Sequence, residues 1–279
     1  MPSKIDLHSH TKFSDGYFTL QELLEKASEK DISILAITDH DTVDAIPSGI
    51  SLGKNFGITV VPGVELSSQE GERDLHILGY FIDIENERFK KYLTLFKLER
   101  IKRAERIIKK LNTLGYPITI EDVFAFSETS VVGRPHIADA LVKLGIVKSF
   151  HEAFQKLLGN NAAAYEKKYY VSPENAIKII QDAGGLAVIA HPGALPEETI
   201  RELIKSNIDG FEVYHPSHST EQMKYYEGIT TNYFLYGTGG SDFHGGTRSD
   251  INNIGRYFTP PGTFESMKRK SLEKRAVNF

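Results

Sequence analysis

The sequence contains no cysteine among its 279 residues. This absence excludes disulfide bonds and thiolate metal sites, so any bound metal ion must be held by histidine, aspartate and glutamate, which suits zinc, manganese or iron. The sequence also lacks an apolar run near the ~18 residues that a membrane span needs, and it lacks a charged and then apolar leader for export. We therefore expect a cytoplasmic protein without a membrane segment, in which the ten histidines are the residues to follow.

Two alternating histidines follow the first short apolar run, in the stretch Asp6-Leu7-His8-Ser9-His10. Side chains alternate faces along a strand, so His8 and His10 point the same way and can bind one cation. Asp15 comes just past the strand end, and Gly16 permits a tight turn there. Because an isolated pair of this kind is more often structural than a metal site, the prediction of a metal depends on the rest of the chain.

The same arrangement recurs along the sequence, where imidazoles and carboxylates accompany short apolar runs. They are His40, Glu65, His76, His191, His215, His218, Asp242 and His244. About seven short strands, mostly alternating with helices, predict parallel βαβ units. Since barrels of such units build their sites at the carboxyl ends of the strands, the pattern favours an α/β fold of the barrel type. Any single histidine here could be a helix cap or a buried structural group. The same pattern at six strand ends, however, is harder to explain in that way.

Two helix starts have clear signals. Thr19 and Glu22 form a capping-box pattern ahead of an apolar stripe of leucines and alanine. Ser172 precedes Pro173, a combination typical of an N-cap followed by the first helical position. Helices are therefore expected from each of these points.

The middle of the chain, residues 85–170, breaks the alternation of strands and helices. Residues 87–111 predict one long helix, and shorter helices are expected around 137–144 and 151–158. The apolar stripe of the long helix is predicted to comprise Leu98, Ile101, Ala104, Ile108 and Leu111. We therefore predict a first barrel part at 1–84, a helical insertion at 85–170 and a second barrel part at 171–279.

The predicted insertion is basic. It contains 16 Lys and Arg against 10 Asp and Glu, a net charge of +6, whereas the remainder has 17 against 27, a net charge of −10. A solvated helix face would account for this charge. A basic lid over an acidic metal site, attracting a polyanion, would account for it equally well.

Taken together, the motifs resemble the polymerase and histidinol phosphatase (PHP) family. They are Asp6-Leu7-His8-Ser9-His10, Ser14-Asp15-Gly16, Thr38-Asp39-His40-Asp41, Gly63-Val64-Glu65, His76, Ala190-His191-Pro192-Gly193 and Gly240-Ser241-Asp242-Phe243-His244. Two further segments, Gly133-Arg134-Pro135-His136 and Tyr214-His215-Pro216-Ser217-His218, resemble a branch of small bacterial PHP phosphoesterases. Members of that branch hydrolyse nucleoside 3′,5′-bisphosphates and degrade short RNA from its 5′ end.

The resemblance implies a distorted (β/α)7 barrel that holds three divalent metal ions, of manganese, zinc or iron. The first ion would be bound by His8, His10, Glu65 and Asp242. The second would be bound by Glu65, His76 and His191, and the third by Asp15, His40 and His244. Some relatives have histidine where this chain has Asp15, and an aspartate there gives the third site a more manganese-like character.

The resemblance further implies hydrolysis by a metal-bridging hydroxide, with Glu65, Asp242 and His191 as the catalytic residues. Two cations ~3.5–4 Å apart lower the pKa of a shared water and bind the oxygens of an in-line displacement. Glu65 is the expected bridge between metals, because a carboxylate has two oxygens and a neutral imidazole cannot bridge.

Four residues are candidates for binding the substrate. The guanidinium of Arg134 could bind a phosphate through two parallel hydrogen bonds. His136, His215 and His218 could be further donors or the acid that protonates the leaving group. Alternatively, Arg134 caps a helix, and His215 and His218 only orient loops.

Three functions compete. The first is a phosphoesterase whose substrate is a phosphorylated small molecule or a short RNA, either a nucleoside 3′,5′-bisphosphate or 5′-phosphorylated RNA, with histidinol phosphate as the alternative. The second is a barrel metallohydrolase of C–N bonds, against which Arg134 in a basic insertion argues. The third is a non-catalytic metal-binding module, against which the complete ligand set argues. We expect the first.

Overall fold

The computed structural model describes residues 3–126, 132–246 and 250–277. At its centre is one sheet of seven strands: β1 (Lys4–Asp6), β2 (Ile32–Ile37), β3 (Thr59–Glu70), β4 (Arg73–Tyr80), β5 (Leu186–Ile189), β6 (Gly210–Tyr214) and β7 (Tyr236–Gly239). The helices are α1 (Leu20–Glu29), α2 (Ile46–Gly53), α3 (Glu87–Thr113), α4 (Ile120–Phe124), α5 (Arg134–Lys143), α6 (Phe150–Ala153), α7 (Pro173–Asp182), α8 (Glu197–Lys205), α9 (Thr220–Asn232) and α10 (Pro261–Val277). The predicted α/β class is confirmed.

The strands follow one another in the sheet in the order of the chain. Six of them run in one direction, and β4 alone runs against its neighbours β3 and β5. The prediction of mostly parallel strands is therefore confirmed, with one antiparallel exception. As a consequence, the carboxyl ends of six strands lie at one edge of the sheet.

Strand β3 carries Glu65 in its interior. It continues to Glu70 and forms a hairpin with β4. Gly71 lies between the two strands with a φ of +60°, which favours glycine. Glu65 and His76 are thus held inside paired strands, where their positions are fixed by the register that places Ser67 opposite His76.

The segments that follow β1 and β7 are bonded to each other. The N–H of Leu7 donates to the carbonyl of Gly239 at 3.2 Å, and the N–H of His10 donates to the carbonyl of Phe243 at 2.9 Å. Within the described residues, β1 and β7 are the edges of the sheet, so these bonds bring its two edges together.

The two faces of the sheet bury different apolar clusters. One face packs against α1, α2, α7, α8 and α9 in the largest cluster. The other face supplies Ile5, Leu7 and Leu78 to a smaller cluster that contains Phe264 and Met267 of α10. Both faces are therefore covered, as expected for a sheet of mostly parallel strands.

Both predicted helix starts are confirmed. Thr19 and Glu22 form the capping box of α1, which buries Leu20, Leu23, Leu24 and Ala27. The side chain of Ser172 accepts a hydrogen bond from the N–H of Asn175 at the start of α7. In the described part of the chain, no helix is both long and apolar enough to cross a membrane.

Helices α3 to α6 pack together around an apolar cluster of their own, drawn from residues 104–164. The long helix predicted at 87–111 is confirmed as α3, but the predicted stripe is wrong at Leu98, which is 50% exposed. The buried face runs instead through Phe96. Leu98 comes two residues later, ~200° around the helix, and therefore lies on the opposite side. That face also includes Arg103, which is buried although an apolar pattern does not predict it.

Candidate metal centre

The centre of the site is the carboxylate of Glu65, whose side chain is buried within β3. Five imidazole nitrogens surround it. Oε1 lies 2.8 Å from Nδ1 of His76 and 3.0 Å from Nε2 of His191, and Oε2 lies 3.2 Å from a ring nitrogen of each of His8, His10 and His40. Both carboxylate oxygens thus face groups that bind metals, which is the arrangement that a bridging ligand needs.

The residues expected to bind the first metal lie together. One ligand atom from each of His8, His10, Glu65 and Asp242 falls within 4.8 Å of all the others. Asp242 Oδ1 is 3.2 Å from Nε2 of both histidines. Two histidines after β1, a glutamate inside β3 and an aspartate after β7 are therefore brought to one point.

The residues expected to bind the third metal lie beside them. Asp15, His40 and His244 form a second group of convergent ligand atoms, together with His10. Asp15 Oδ1 is 3.4 Å from Nε2 of His244 and 3.9 Å from Nε2 of His40. The two ring nitrogens of His40 face different carboxylates, since Nδ1 faces Glu65.

His76 and His191, expected at the second metal, approach the same oxygen of Glu65 from neighbouring strands. Their ring centroids are 5.4 Å apart and the rings are nearly perpendicular. His76, Glu65 and His40 form a third group of convergent ligand atoms. Glu65 and the other eight residues predicted as ligands consequently lie in one cluster.

The residues fit divalent metal ions. Within the described residues, both ring nitrogens of His10, Nδ1 of His40 and Nε2 of His244 are buried without a hydrogen-bond partner. Buried polar atoms are normally satisfied, and imidazole nitrogens that face carboxylates without hydrogen-bond geometry are suited to metal binding. The donor set of nitrogen and oxygen atoms suits Mn, Zn or Fe.

The charges of the site also favour metal binding. Burial alone would raise the pKa of the Glu65 carboxyl, but His40 and His76 hold that pKa well below its usual range. Burial lowers the pKa of His40 and of His76. Metal ligands must be ionised carboxylates and neutral imidazoles, and the shifts at Glu65, His40 and His76 favour these forms. At His8, His10 and His191 burial would lower the pKa, but the neighbouring carboxylates raise it.

Several buried carboxylates that sequence reasoning missed support the ligands from behind. Glu212 Oε1 lies 2.9 Å from Nδ1 of His8, and its Oε2 accepts a hydrogen bond from the N–H of His191 at 2.7 Å.

The N–H of His244 donates to Asp250. Asp39 accepts from Thr11 and Ser14 in the loop that carries Asp15, and Asp41 accepts from Ser67. Asp39 and Asp41 belong to the motif Thr38-Asp39-His40-Asp41, which contributed to the family resemblance and could have indicated them. Glu212 is a single acidic residue in an apolar strand and has no such signal.

The loop after β6 brings His215 to the metal centre. Its Nε2 is 3.4 Å from Asp242 Oδ2, and it converges with Glu212 and His8 in a further group of ligand atoms. His218 lies behind it: Nδ1 is 2.8 Å from the carbonyl of Val213, and Nε2 accepts from the N–H of Gly193 at 3.1 Å. The contacts of His218 are those of a residue that orients the loop after β5.

Arg134 and His136 lie at the start of α5. The guanidinium of Arg134 donates to the carbonyl of Leu158 at 3.1 Å and to Oδ1 of Asn160 at 3.0 Å. Nδ1 of His136 accepts from the N–H of Gly133 at 3.0 Å. His136 also lines a cavity of about 220 Å³ whose wall includes the predicted ligand Asp15. The cavity therefore connects the metal centre with helix α5.

Comparison with known proteins agrees with this geometry. A sequence model of the PHP domain matches residues 6–212. The chain belongs to the PHP domain family. As a PHP protein it is 33% identical over 250 residues to a 5′-3′ exoribonuclease of Haemophilus influenzae, which spans 88% of this chain and 91% of the relative. It is 31% identical over 249 residues to a 3′,5′-nucleoside bisphosphate phosphatase of Chromobacterium violaceum, which spans 87% of each chain.

A solved structure extends the comparison to the fold. A metal-dependent phosphoesterase from Bifidobacterium adolescentis matches 97% of both chains, with a TM-score of 0.89 and 29% identity. The expected family is thereby confirmed, and the relatives are enzymes that act on phosphate esters of nucleotides or RNA.

Proposed function

We propose that this PHP protein is a metal-dependent phosphoesterase that hydrolyses phosphate esters of nucleotides, either nucleoside 3′,5′-bisphosphates or 5′-phosphorylated short RNA. The observation that supports this most directly is the Glu65 carboxylate with five imidazoles around it. The two relatives, a 5′-3′ exoribonuclease and a 3′,5′-nucleoside bisphosphate phosphatase, suggest the substrate class.

Three divalent ions are proposed for the site. His8, His10, Glu65 and Asp242 would bind the first, Glu65, His76 and His191 the second, and Asp15, His40 and His244 the third. When bound, such ions activate water at neutral pH and polarise a phosphoryl group. The protein's own contribution is to hold the ligands in place: Glu212 orients His8, and its second oxygen fixes the backbone of His191. We propose Glu65, Asp242 and His191 as the catalytic residues.

The seven strands are proposed to close as a distorted (β/α)7 barrel, supported by the bonds between the segments after β1 and β7. Residues 85–170 are proposed as a helical insertion, supported by the separate apolar cluster of α3 to α6. Residues 127–131 of this segment lie outside the described part. The insertion would cover the cavity beside Asp15 through Phe126 and His136.

His215 is proposed as the residue that donates a proton to the leaving oxygen. Its Nδ1 lies 2.8 Å from Oγ of Ser217, and its Nε2 faces Asp242 at the metal centre without a hydrogen-bond partner in the described residues. General acids act at hydrogen-bond distance from the group that they protonate. Arg134 and His136 are proposed to contact the substrate from α5, and His218 to contribute through the loop that it orients.

A phosphate-release screen tests this function. The purified protein is loaded with Mn²⁺ and given adenosine 3′,5′-bisphosphate, adenosine monophosphates, histidinol phosphate and 5′-phosphorylated short RNA. Release of phosphate or nucleotides from the bisphosphate and RNA, abolished by a chelator and restored by Mn²⁺, is expected. Preference for histidinol phosphate would contradict the substrate class, and inactivity on every phosphate ester would contradict the function.

A further inference from the structure

The proposed insertion and the metal centre meet at a buried ion pair between Arg100 of α3 and Asp41. The side chain of Asp41 is 1% exposed and that of Arg100 is 14% exposed. Nε of Arg100 donates to Oδ2 of Asp41 at 2.8 Å, and Nη2 donates to the same oxygen. Charge-assisted hydrogen bonds of this kind are stronger and more directional than an exposed ion pair. Arg100 therefore fixes α3 relative to the residue that follows the predicted ligand His40.

The backbone of Asp41 has an uncommon conformation, with a φ of +54°. A residue other than glycine keeps this conformation when its surroundings hold it there. The N–H of Asp41 donates to the carbonyl of Glu65 at 3.1 Å, and His40 forms a parallel bridge with Glu65. Asp41 is therefore part of the turn that carries His40 to the central carboxylate.

The carboxylate of Asp41 also holds the strand that carries Glu65. Its Oδ1 accepts from the N–H of Ser67 at 2.8 Å, and its Oδ2 accepts from Oγ of Ser67 at 2.9 Å. Ser67 lies two residues after Glu65 and opposite His76 in the hairpin of β3 and β4. Nη2 of Arg100 reaches the same hydroxyl at 3.2 Å. The ion pair therefore contacts the chain segments of three predicted ligands.

The third nitrogen of the guanidinium, Nη1 of Arg100, faces the start of α5. A Cβ atom at Gly133 would lie 3.3 Å from Nη1, a tighter approach than Cβ atoms usually make, so glycine leaves room for the guanidinium there. Gly133 is the N-cap of α5, and its N–H donates to Nδ1 of His136. Arg100 therefore lies between the ligand segments and the helix that carries Arg134 and His136.

A second ion pair between α3 and the same loop serves as a contrast. Nζ of Lys97, about one turn before Arg100, lies 3.9 Å from Asp44, and the two side chains are 36% and 52% exposed. An exposed pair at this distance contributes little to stability. Loss of the buried pair would instead leave the Asp41 charge without its arginine and Ser67 without one of its donors. The effect of removing a cation from α3 should therefore depend on which cation is removed.

We propose that Arg100 is a positioning residue for the metal centre. Through Asp41 and Ser67 it holds the turn of His40 and the hairpin of Glu65 and His76, so these ligands take their places when α3 is docked. The insertion then forms part of the scaffold of the metal centre in addition to covering it. This inference deepens the proposed function, and it rests on that function for the reaction that the metals support. Arginine is required because its planar fork bonds two partners at once, whereas lysine ends in a single point charge.

Arg100→Met tests the role, because methionine keeps much of the side-chain volume and removes the charge and the donors. The matched control is Lys97→Met. Competition with a chromogenic chelator should show Mn²⁺ binding to metal-free Arg100→Met about tenfold to a hundredfold weaker than to the wild type. Lys97→Met should stay within about twofold of the wild type. The visible spectrum of the Co²⁺-loaded protein, which reports ligand geometry, should change in Arg100→Met alone.

Two milder variants keep the test decisive if Arg100→Met does not fold. Arg100→Lys keeps the charge and loses the planar fork, so it should restore part of the Mn²⁺ affinity. Ser67→Ala removes one hydroxyl between Asp41 and Arg100, so it should weaken Mn²⁺ binding while the melting temperature stays close to that of the wild type. Wild-type Mn²⁺ affinity in both variants would overturn the proposal.

Kinetics separate positioning from substrate binding. With adenosine 3′,5′-bisphosphate and saturating Mn²⁺, kcat should fall in Arg100→Met while KM changes less than about twofold. A raised KM with wild-type Mn²⁺ affinity would mean that Arg100 binds substrate, and a lowered melting temperature with wild-type Mn²⁺ affinity and Co²⁺ spectrum would mean a role in folding alone. Either result would overturn the positioning role. Weakened Mn²⁺ binding in Arg100→Met, found together with a wild type that hydrolyses no phosphate ester, would support the positioning role and overturn the proposed function.

Discussion

Glu212 and His8 form a buried pair in which one carboxylate oxygen lies 2.9 Å from Nδ1 of the imidazole. This contact fixes the ring so that Nε2 points at Glu65 and Asp242. Histidines that bind metals usually donate their other ring N–H to such a carboxylate, which sets the tautomer and raises the basicity of the ligand. Glu212 is therefore a positioning residue for the proposed first metal.

Glu212→Gln should weaken metal binding about tenfold to a hundredfold, because the amide is a poorer acceptor for His8 and loses the negative charge. Competition of Mn²⁺ between the protein and a chromogenic chelator measures the change. The control is Glu227→Gln, which alters an exposed carboxylate bonded to Tyr214 at 2.8 Å. Unchanged Mn²⁺ affinity in Glu212→Gln would show that the contact does not position the ligand.

Glu65→Gln should abolish turnover and lower the metal content while the protein stays folded. The substitution keeps the side-chain volume, but it removes the charge that faces five imidazoles. Elemental analysis, circular dichroism and phosphate release report the three effects. Glu72→Gln, at an exposed position of the neighbouring hairpin, is the control. Full activity in Glu65→Gln would mean that this carboxylate does not bridge metals.

His244→Ala and His40→Ala should differ in metal content, although both histidines are assigned to the third ion. Nε2 of His244 contacts Asp15 there and its Nδ1 lies 3.6 Å from Asp242, whereas Nδ1 of His40 faces the central carboxylate of Glu65 at 3.2 Å. We expect His244→Ala to lose about one ion per chain and His40→Ala to lose more. Metal analysis after gel filtration in metal-free buffer makes the comparison, and a complete loss of metal in His244→Ala would contradict the allocation of ligands.

The sequence was sufficient to predict which residues the structure groups around Glu65, because each belongs to a short motif next to an apolar run. His8 and His10 share a face by the alternation of a strand, and Asp242 and His244 repeat that spacing after β7. The α/β class followed from the same alternation. Pairing across the sheet brings the motifs together, which the alternation of strands and helices predicted in outline and the resemblance implied ligand by ligand.

The remaining features depend on tertiary contacts. The antiparallel direction of β4 is set by the turn at Gly71, and apolar runs carry no information about strand direction. Leu98 was assigned to the wrong face of α3, because the buried face is interrupted by Arg103. Glu212 was missed for a related reason: one acidic residue in an apolar strand has no local signal until its partner His8 is placed.

The bonded segments after β1 and β7 have a consequence for how the protein unfolds. His8 and His10 come from one segment, and Asp242 from the other, so a single ion bound among them would cross-link the two edges of the sheet. In the structure this junction is already held by a hydrogen bond from Ser241 to Asp6, residues 235 positions apart. Closing so long a loop in an unfolded chain is entropically costly, and a ligand that binds only the closed form shifts the balance towards it. Occupancy of the first metal position would therefore stabilise the junction between β1 and β7 against local opening.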